Sequence, residues 1–187
     1  MGKLIFITGG VRSGKSGFAE TYAQSIAEVE QRTPVYIATG VAFDQEMRQR
    51  ISRHQQDRAN STFQWATFEL PVDIQPYTKE QRPTDIVLFE CVTTWLSNIY
   101  YETESLEPIE QEKQRNNWLD LFKQSLLQWR SEGIVAIIVS NEVLDDGVSL
   151  YEETALYQQT VGEMHQWLVR HCDEAYEVNA QIIERWK

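Results

Sequence analysis

The fold is decided by the stretch Leu4-Ile5-Phe6-Ile7-Thr8-Gly9-Gly10-Val11-Arg12-Ser13-Gly14-Lys15-Ser16. It opens with a short apolar run that ends in two glycines, which is typical of a buried parallel strand. Residues 9–16 then match the pattern G-x-x-x-x-G-K-[ST] in full, and a helix is predicted from Lys15 to Gln31. Strand, glycine loop and helix in this order predict a P-loop, which binds the phosphates of a nucleoside triphosphate.

The residue types of this loop explain its expected chemistry. Glycines let the backbone curl so that its N–H groups point at phosphate oxygens, and the helix start adds a favourable dipole. Lys15 is expected to neutralise the β- and γ-phosphate oxygens, and Ser16 to offer its hydroxyl to Mg²⁺. The alternative is a chance glycine-rich turn, which the flanking strand and helix disfavour. The predicted nucleotide-binding residues of the loop are Gly9, Gly10, Val11, Arg12, Ser13, Gly14, Lys15 and Ser16.

Apolar runs and helical stretches alternate along the rest of the chain. Further strands are predicted at Val35–Thr39, Phe63–Glu69, Ile86–Phe89, Ile134–Ser140 and Glu174–Val178, and further helices at Gln45–Arg58, Val92–Tyr101, Pro108–Glu132 and Tyr151–Cys172. This alternation favours an α/β fold with a mostly parallel sheet flanked by helices. A length of 187 residues fits one domain over residues 1–187.

Composition excludes several classes of protein. The net charge of −11 disfavours nucleic-acid binding, because a phosphate backbone attracts basic surfaces. Cys91 and Cys172 are too few and too far apart for a disulfide framework, and both are expected to be buried thiols. The chain shows neither a signal peptide nor an apolar run of about 20 residues, so we expect a cytoplasmic protein without a membrane span.

Glu90 follows the strand Ile86–Phe89 directly. An acid at the end of such a strand in a P-loop enzyme can hold Mg²⁺ through water or act as a base. The alternative is a carboxylate that merely caps the helix predicted to begin at Val92.

The predicted helix Gln45–Arg58 carries a histidine on its apolar face. At 100° per residue, Met47 and Ile51 define that face, and His54 lies within it. Arg50, His54 and Arg58 are spaced i, i+4, i+8, so their side chains can converge. Two guanidinium groups beside an imidazole would receive a triphosphate and favour a neutral, nucleophilic histidine. The alternative is a structural histidine between exposed arginines.

Several segments together resemble one enzyme family. Besides the loop they are Tyr36-Ile37-Ala38-Thr39, Asp44-Gln45-Glu46-Met47, Arg50-Ile51-Ser52-Arg53-His54 with Arg58, Trp65-Ala66-Thr67-Phe68-Glu69, Glu90-Cys91-Val92-Thr93-Thr94-Trp95-Leu96-Ser97-Asn98 and Val139-Ser140-Asn141-Glu142-Val143. Their order and spacing are similar to those of the bifunctional adenosylcobinamide kinase / adenosylcobinamide-phosphate guanylyltransferase family, over about three quarters of the chain.

The resemblance implies a RecA-like fold and two reactions of cobalamin (vitamin B12) biosynthesis. One is phosphorylation of the aminopropanol hydroxyl of adenosylcobinamide, with ATP or GTP as donor. The other is transfer of GMP from GTP to the new phosphate through a guanylylated histidine, whose position His54 occupies. The resemblance also implies a corrinoid substrate, a trimer as the possible oligomer, and a guanine-nucleotide site lined by Thr39, Gly40, Val41, Arg58, Glu69 and Glu90.

The C-terminal third departs from the family pattern. After Asn141-Glu142-Val143 the chain reads Leu144-Asp145-Asp146-Gly147-Val148-Ser149-Leu150, where the family has a Gly-rich, Pro-containing loop. Where the family has Phe-Arg-Asp, the chain has Tyr157-Gln158-Gln159. Where the family has Asn-Gln, the chain has His165-Gln166. Two alternatives therefore stay open: a kinase or nucleotidyltransferase for another small molecule, and a nucleotide-gated regulatory protein without turnover.

Overall fold

Seven strands form one sheet in the computed structural model, which describes residues 1–42, 45, 48–49, 51–52, 55–56, 63–143, 147 and 149–187. The strands are β1 Lys3–Thr8, β2 Thr33–Ala38, β3 Ala66–Glu69, β4 Asp85–Glu90, β5 Val135–Val139, β6 Glu174–Asn179 and β7 Ile182–Arg185. The labelled helices are α1 Lys15–Glu30, α2 Gln75–Thr78, α3 Val92–Thr103, α4 Pro108–Ser131 and α5 Glu152–His171. The described residues from Gln45 to Gln56 are also helical.

The strands lie in the order β3-β2-β4-β5-β1-β6-β7. Every neighbouring pair is parallel except β6 and β7, which form an antiparallel hairpin. The predicted mostly parallel sheet is therefore confirmed. Strand β1 lies between β5 and β6, and β5 separates β1 from β4. Because β4, β5 and β1 are parallel, the loop after β1 and the end of β4 lie at the same edge of the sheet.

Strand β1 is apolar on both sides because helices cover both faces of the sheet. Leu4 and Phe6 belong to one core cluster, whereas Ile5 and Ile7 belong to a second cluster on the opposite face. The first cluster lies beneath α3, α4 and α5, where the rings of Trp95 and Phe122 are 4.5 Å apart. The period-two alternation of the sequence thus becomes a sheet with two buried faces.

Helix α1 covers the second face through three alanines. Ala19, Ala23 and Ala27 are spaced i, i+4, i+8 and are at most 2% exposed. Side chains this small let the helix lie close to β4 and β5. Close contact along the length of α1 fixes the position of its first turn, which follows the glycine loop directly.

The structure differs from the sequence prediction at three short elements. The strand predicted over Phe63–Glu69 is confined to Ala66–Glu69, and α2 and β7 were not predicted. Both cysteines are buried free thiols, which confirms that prediction. In the described part of the chain, no helix is long and apolar enough to cross a membrane.

Candidate functional site

The loop between β1 and α1 has the backbone shape that its glycines permit. Gly14 adopts a left-handed conformation, with φ of 97°, immediately before α1. A Cβ atom at Gly9 would lie 2.1 Å from the carbonyl oxygen of Val178, so only glycine fits beneath strand β6. The N–H of Ser13 donates to the carbonyl of Gly10 at 3.2 Å and closes the turn. The sequence pattern therefore forms a tight loop at the start of a helix.

The start of α1 suits an anion. Its first turn contains no acidic residue, and no side chain caps its N-terminus. The first N–H groups of a helix lack partners within the helix, so they are suited to receive phosphate oxygens. Lys15 is 3% exposed, and its ammonium donates to the carbonyl of Gly10 at 3.0 Å. The positive charge of Lys15 is thus held inside the loop.

Glu90 reaches the first turn of α1 from the end of β4. The hydroxyl of Ser16 donates to Oε1 of Glu90, and the hydroxyl of Tyr36 donates to Oε2 at 2.8 Å. Glu90 is 9% exposed. The carboxylate therefore contacts the P-loop helix, whereas the residue before α3, Cys91, provides no side-chain cap. Tyr36 was not singled out as a site residue, because its contact with Glu90 spans 54 positions.

The Ser16 and Glu90 side chains fit a magnesium ion. Mg²⁺ prefers oxygen ligands and usually keeps several waters while using one or two protein groups plus substrate phosphates. A hydroxyl and a carboxylate in direct contact provide two such oxygens in one place. Among the described residues, no group of three His, Cys, Asp or Glu side chains could hold a metal by itself. The donor set therefore suits a cation that arrives with the nucleotide.

The other predicted nucleotide-binding residues lie along the same edge of the sheet. Ala38 at the end of β2 is in register with Glu69 of β3 on one side and Glu90 of β4 on the other. Thr39 is fully buried, and its hydroxyl bonds to the backbone of Glu90 and Cys91, so it joins β2 to β4. Glu69 is exposed, while Gly40 and Val41 are partly exposed.

Three predicted residues lie outside the described part of the chain: Arg50, His54 and Arg58. The described Ile51 approaches the site, since a Cβ atom at Gly40 would lie 3.5 Å from its side chain. Because His54 lies outside the described residues, its assignment as the nucleophile stays a prediction.

Two asparagines support this edge, and their roles were not predicted. The amide of Asn98 donates to the carbonyls of Thr39 and Pro71 at 2.8 and 2.9 Å, which joins α3 to the strand ends. The amide of Asn141 donates to Thr93 Oγ1 at 2.8 Å. Both residues were noted only as part of the family resemblance, and their long-range partners gave no local signal.

His165 of α5 is partly buried and is linked to the loop. Its Nε2 is hydrogen-bonded to Ser140 Oγ at 2.7 Å, and its ring lies 5.2 Å from that of Phe6. Two residues after Ser140, the N–H of Glu142 donates to the carbonyl of Gly9 at 2.9 Å. Burial lowers the pKa of His165, and the charge of Glu142 opposes this shift.

This lowered pKa predicts a pH dependence of stability. The native state binds a proton at His165 less readily than the unfolded chain, whose histidine titrates at about 6.5. His165 therefore makes its full contribution to stability above that pH, and this contribution declines as the pH falls through it. Urea unfolding of wild type and His165→Asn at pH 7.5 and 5.5 should show a smaller loss in the variant.

His171→Asn is the matched control for that experiment, since it removes a histidine from the same helix. His171 lies at the end of α5, where its Nδ1 is hydrogen-bonded to the carbonyl of Trp167 at 2.8 Å. We expect this variant to retain the contribution of His165. Equal losses of unfolding free energy in wild type and His165→Asn would contradict the prediction.

The chain is similar to known proteins over most of its length. The family model described as cobinamide kinase / cobinamide phosphate guanyltransferase matches residues 5–183. The chain is 27% identical to the bifunctional adenosylcobalamin biosynthesis protein CobU of Escherichia coli (strain K12), covering 96% of this chain and 97% of that protein. It is 32% identical to the bifunctional adenosylcobalamin biosynthesis protein CobP of Pseudomonas aeruginosa, covering 89% of this chain and 87% of the relative.

A solved structure supports the fold. The KaiC-like protein PH0186 from Pyrococcus horikoshii OT3 superposes with a TM-score of 0.52 at 12% identity, covering 98% of this chain and 74% of its own. At this identity the likeness concerns the fold alone. It agrees with the expected RecA-like P-loop architecture, which is thereby confirmed.

Proposed function

Since the chain belongs to the cobinamide kinase / cobinamide phosphate guanyltransferase family, we propose that it carries out both transfers on a corrinoid. The first moves a phosphoryl group from a nucleoside triphosphate to the aminopropanol hydroxyl of adenosylcobinamide. The second moves GMP from GTP to the resulting phosphate. The enzyme is a transferase of adenosylcobalamin biosynthesis.

In the first transfer, the loop binds the triphosphate and stabilises the charge of the γ-phosphoryl group as it moves. Lys15 and the N–H groups at the start of α1 supply that stabilisation. Ser16 and Glu90 would hold Mg²⁺, which supplies further neutralisation of the phosphate oxygens when bound. Tyr36 donates to Glu90 and so keeps the carboxylate turned towards Ser16.

In the second transfer, a ring nitrogen of neutral His54 attacks the α-phosphorus of GTP. A phosphorus–nitrogen bond forms, the bond from the α-phosphorus to the bridging oxygen breaks, and pyrophosphate leaves. An oxygen of the corrinoid phosphate then attacks the same phosphorus, and the phosphorus–nitrogen bond breaks to release His54. The covalent intermediate divides one difficult displacement into two easier steps.

One observation carries this proposal: Lys15, Ser16 and Glu90 converge on the start of α1 within a chain that matches the family over residues 5–183. The lysine and the serine belong to the P-loop, whereas the glutamate comes from β4, 74 positions away from Ser16. This is the arrangement that phosphoryl and nucleotidyl transfer need, because both reactions move charge on phosphate oxygens.

The test is to incubate the protein with Mg²⁺ and α-labelled GTP in the absence of corrinoid. We expect one label per chain at most, held in a bond that acid breaks and base does not, as a phosphohistidine-type linkage requires. Label should leave the protein when adenosylcobinamide phosphate is added. A protein that binds GTP but acquires no label would contradict the guanylyltransferase half of the proposal.

A second candidate is the same chemistry on a different small molecule. The segment after β5 departs from the family sequence, and Gln158 replaces the arginine of the family pattern. Its amide donates to the carbonyls of Val143 and Gly147 at 3.3 and 3.0 Å and accepts from the N–H of Ser149 at 2.8 Å. A panel of acceptors would favour this candidate if labelled protein transferred GMP to none of the corrinoids.

A further inference from the structure

The turn between β6 and β7 rests on the P-loop. The N–H of Gln181 donates to the carbonyl of Ser13 at 2.8 Å. A Cβ atom at Gly14 would lie 3.2 Å from Cγ of Gln181, so the Gln181 side chain covers this glycine. On the other side of the turn, the carbonyl of Val178 lies over Gly9. The hairpin therefore touches the loop near both of its ends.

The backbone of this turn is strained. Ala180 and Gln181 both adopt left-handed conformations, with φ of 48° and 67°. Two consecutive left-handed residues form the turn that usually contains asparagine and glycine. Alanine and glutamine are disfavoured in this conformation because it brings the Cβ atom too close to the following carbonyl oxygen. Strained residues of this kind concentrate at functional sites, and this pair lies against the nucleotide-binding loop.

The direction in which a nucleotide would cross the loop also indicates this turn. Lys15 and Ser16 serve the β- and γ-phosphates, and Ser16 contacts Glu90 of β4. The terminal phosphates therefore lie on the side of β1 that faces β5 and β4. Strands β6 and β7 lie on the opposite side of β1. A triphosphate that crosses the loop in this sense directs its nucleoside towards the β6–β7 turn.

We infer that Gln181, in the turn between β6 and β7, forms part of the nucleoside site for the phosphoryl donor and contacts the base or ribose. Its carboxamide offers both donors and an acceptor, which suits the edge of a purine or the ribose hydroxyls. Gln181 is exposed and so can meet a ligand. The inference rests on the proposed function only in that the loop binds a nucleoside triphosphate.

The test compares ligands with and without a nucleoside. Calorimetric titrations with Mg²⁺–ATP, with the α,β-methylene analogue of Mg²⁺–GTP, which cannot release pyrophosphate, and with inorganic tripolyphosphate would be made on wild type and Gln181→Gly. Glycine adopts left-handed backbone freely, so the variant keeps the turn while losing the amide. We expect the affinity for at least one nucleotide to fall about fivefold, whereas the affinity for tripolyphosphate stays the same.

Ala180→Gly is the matched control, because it relieves the same strain at the neighbouring position without removing the carboxamide. Its nucleotide affinities should stay within about twofold of wild type. Unchanged binding of both nucleotides by Gln181→Gly would overturn the inference. An equal loss of tripolyphosphate binding would also overturn it, because Gln181 would then act through the loop. Binding is measured without turnover, so a failure of protein labelling with GTP would count against the proposed function alone.

Discussion

Lys15→Met should lower the rate of both transfers about a thousandfold, which corresponds to about 4 kcal/mol of lost transition-state stabilisation. Lys15 carries a buried positive charge within the loop, and its ammonium is held by the carbonyl of Gly10. Methionine keeps an unbranched side chain of similar length but removes the charge and the hydrogen-bond donors of the ammonium group. Initial rates of corrinoid phosphorylation and of protein labelling with GTP would measure the effect.

The matched control for Lys15→Met is Lys3→Met, at the opposite end of β1. Lys3 is partly exposed and forms an ion pair with Glu174 at 3.2 Å. Tyr22 and Tyr176 also donate to Glu174, so its buried carboxylate keeps hydrogen-bond partners and we expect this variant to fold and to keep its activity. Similar thermal unfolding curves would show that neither change disrupts the fold. A Lys15→Met enzyme with wild-type rates would refute the role of the loop lysine.

His54→Asn should abolish labelling of the protein by α-labelled GTP and leave the phosphorylation of adenosylcobinamide nearly unchanged. Asparagine is close to histidine in size and keeps hydrogen-bonding groups, but its amide nitrogen is not a nucleophile. The first transfer needs no covalent intermediate on the protein, so it does not depend on this ring. Separate assays with γ-labelled and α-labelled nucleotide would resolve the two steps.

The chain contains three histidines, so the other two can be tested as alternative sites of labelling. His171→Asn, at the end of α5, should be labelled as fully as wild type. Label that persists in His54→Asn would mean that another residue is the nucleophile, and peptide mapping of the labelled protein would then identify it. Loss of phosphorylation together with labelling would instead indicate that His54 supports both reactions.

The parts of the site that the sequence predicted are those determined by neighbouring residues. The strand, loop and helix over residues 3–30 follow from a local apolar run, the positions of Gly9 and Gly14, and the Lys-Ser pair. Glu90 was predicted from its position at the end of an apolar strand. These features need no knowledge of which strands are neighbours, so residue order alone was sufficient.

The features that the sequence did not predict depend on contacts between distant positions. The bond between Ser16 and Glu90 requires the strand order β4-β5-β1, which no local pattern encodes. No local pattern around His165 indicates a partner, because that partner, Ser140, lies 25 positions away. Strand β7 was missed because its four residues are all exposed and the turn before it contains neither glycine nor asparagine at its left-handed positions.

The alanine face of α1 has a consequence for how this protein could be re-engineered. Ala27 lies about 18 Å along the helix from Lys15, far from any phosphate, yet it sets the distance between helix and sheet. A bulkier side chain at Ala19, Ala23 or Ala27 would tilt or lift the helix as a rigid rod, because the interior has no free volume to absorb it. The amide groups at the start of the helix would move with it. Attempts to alter the donor or acceptor preference should therefore vary the loops at the sheet edge and leave this buried face untouched.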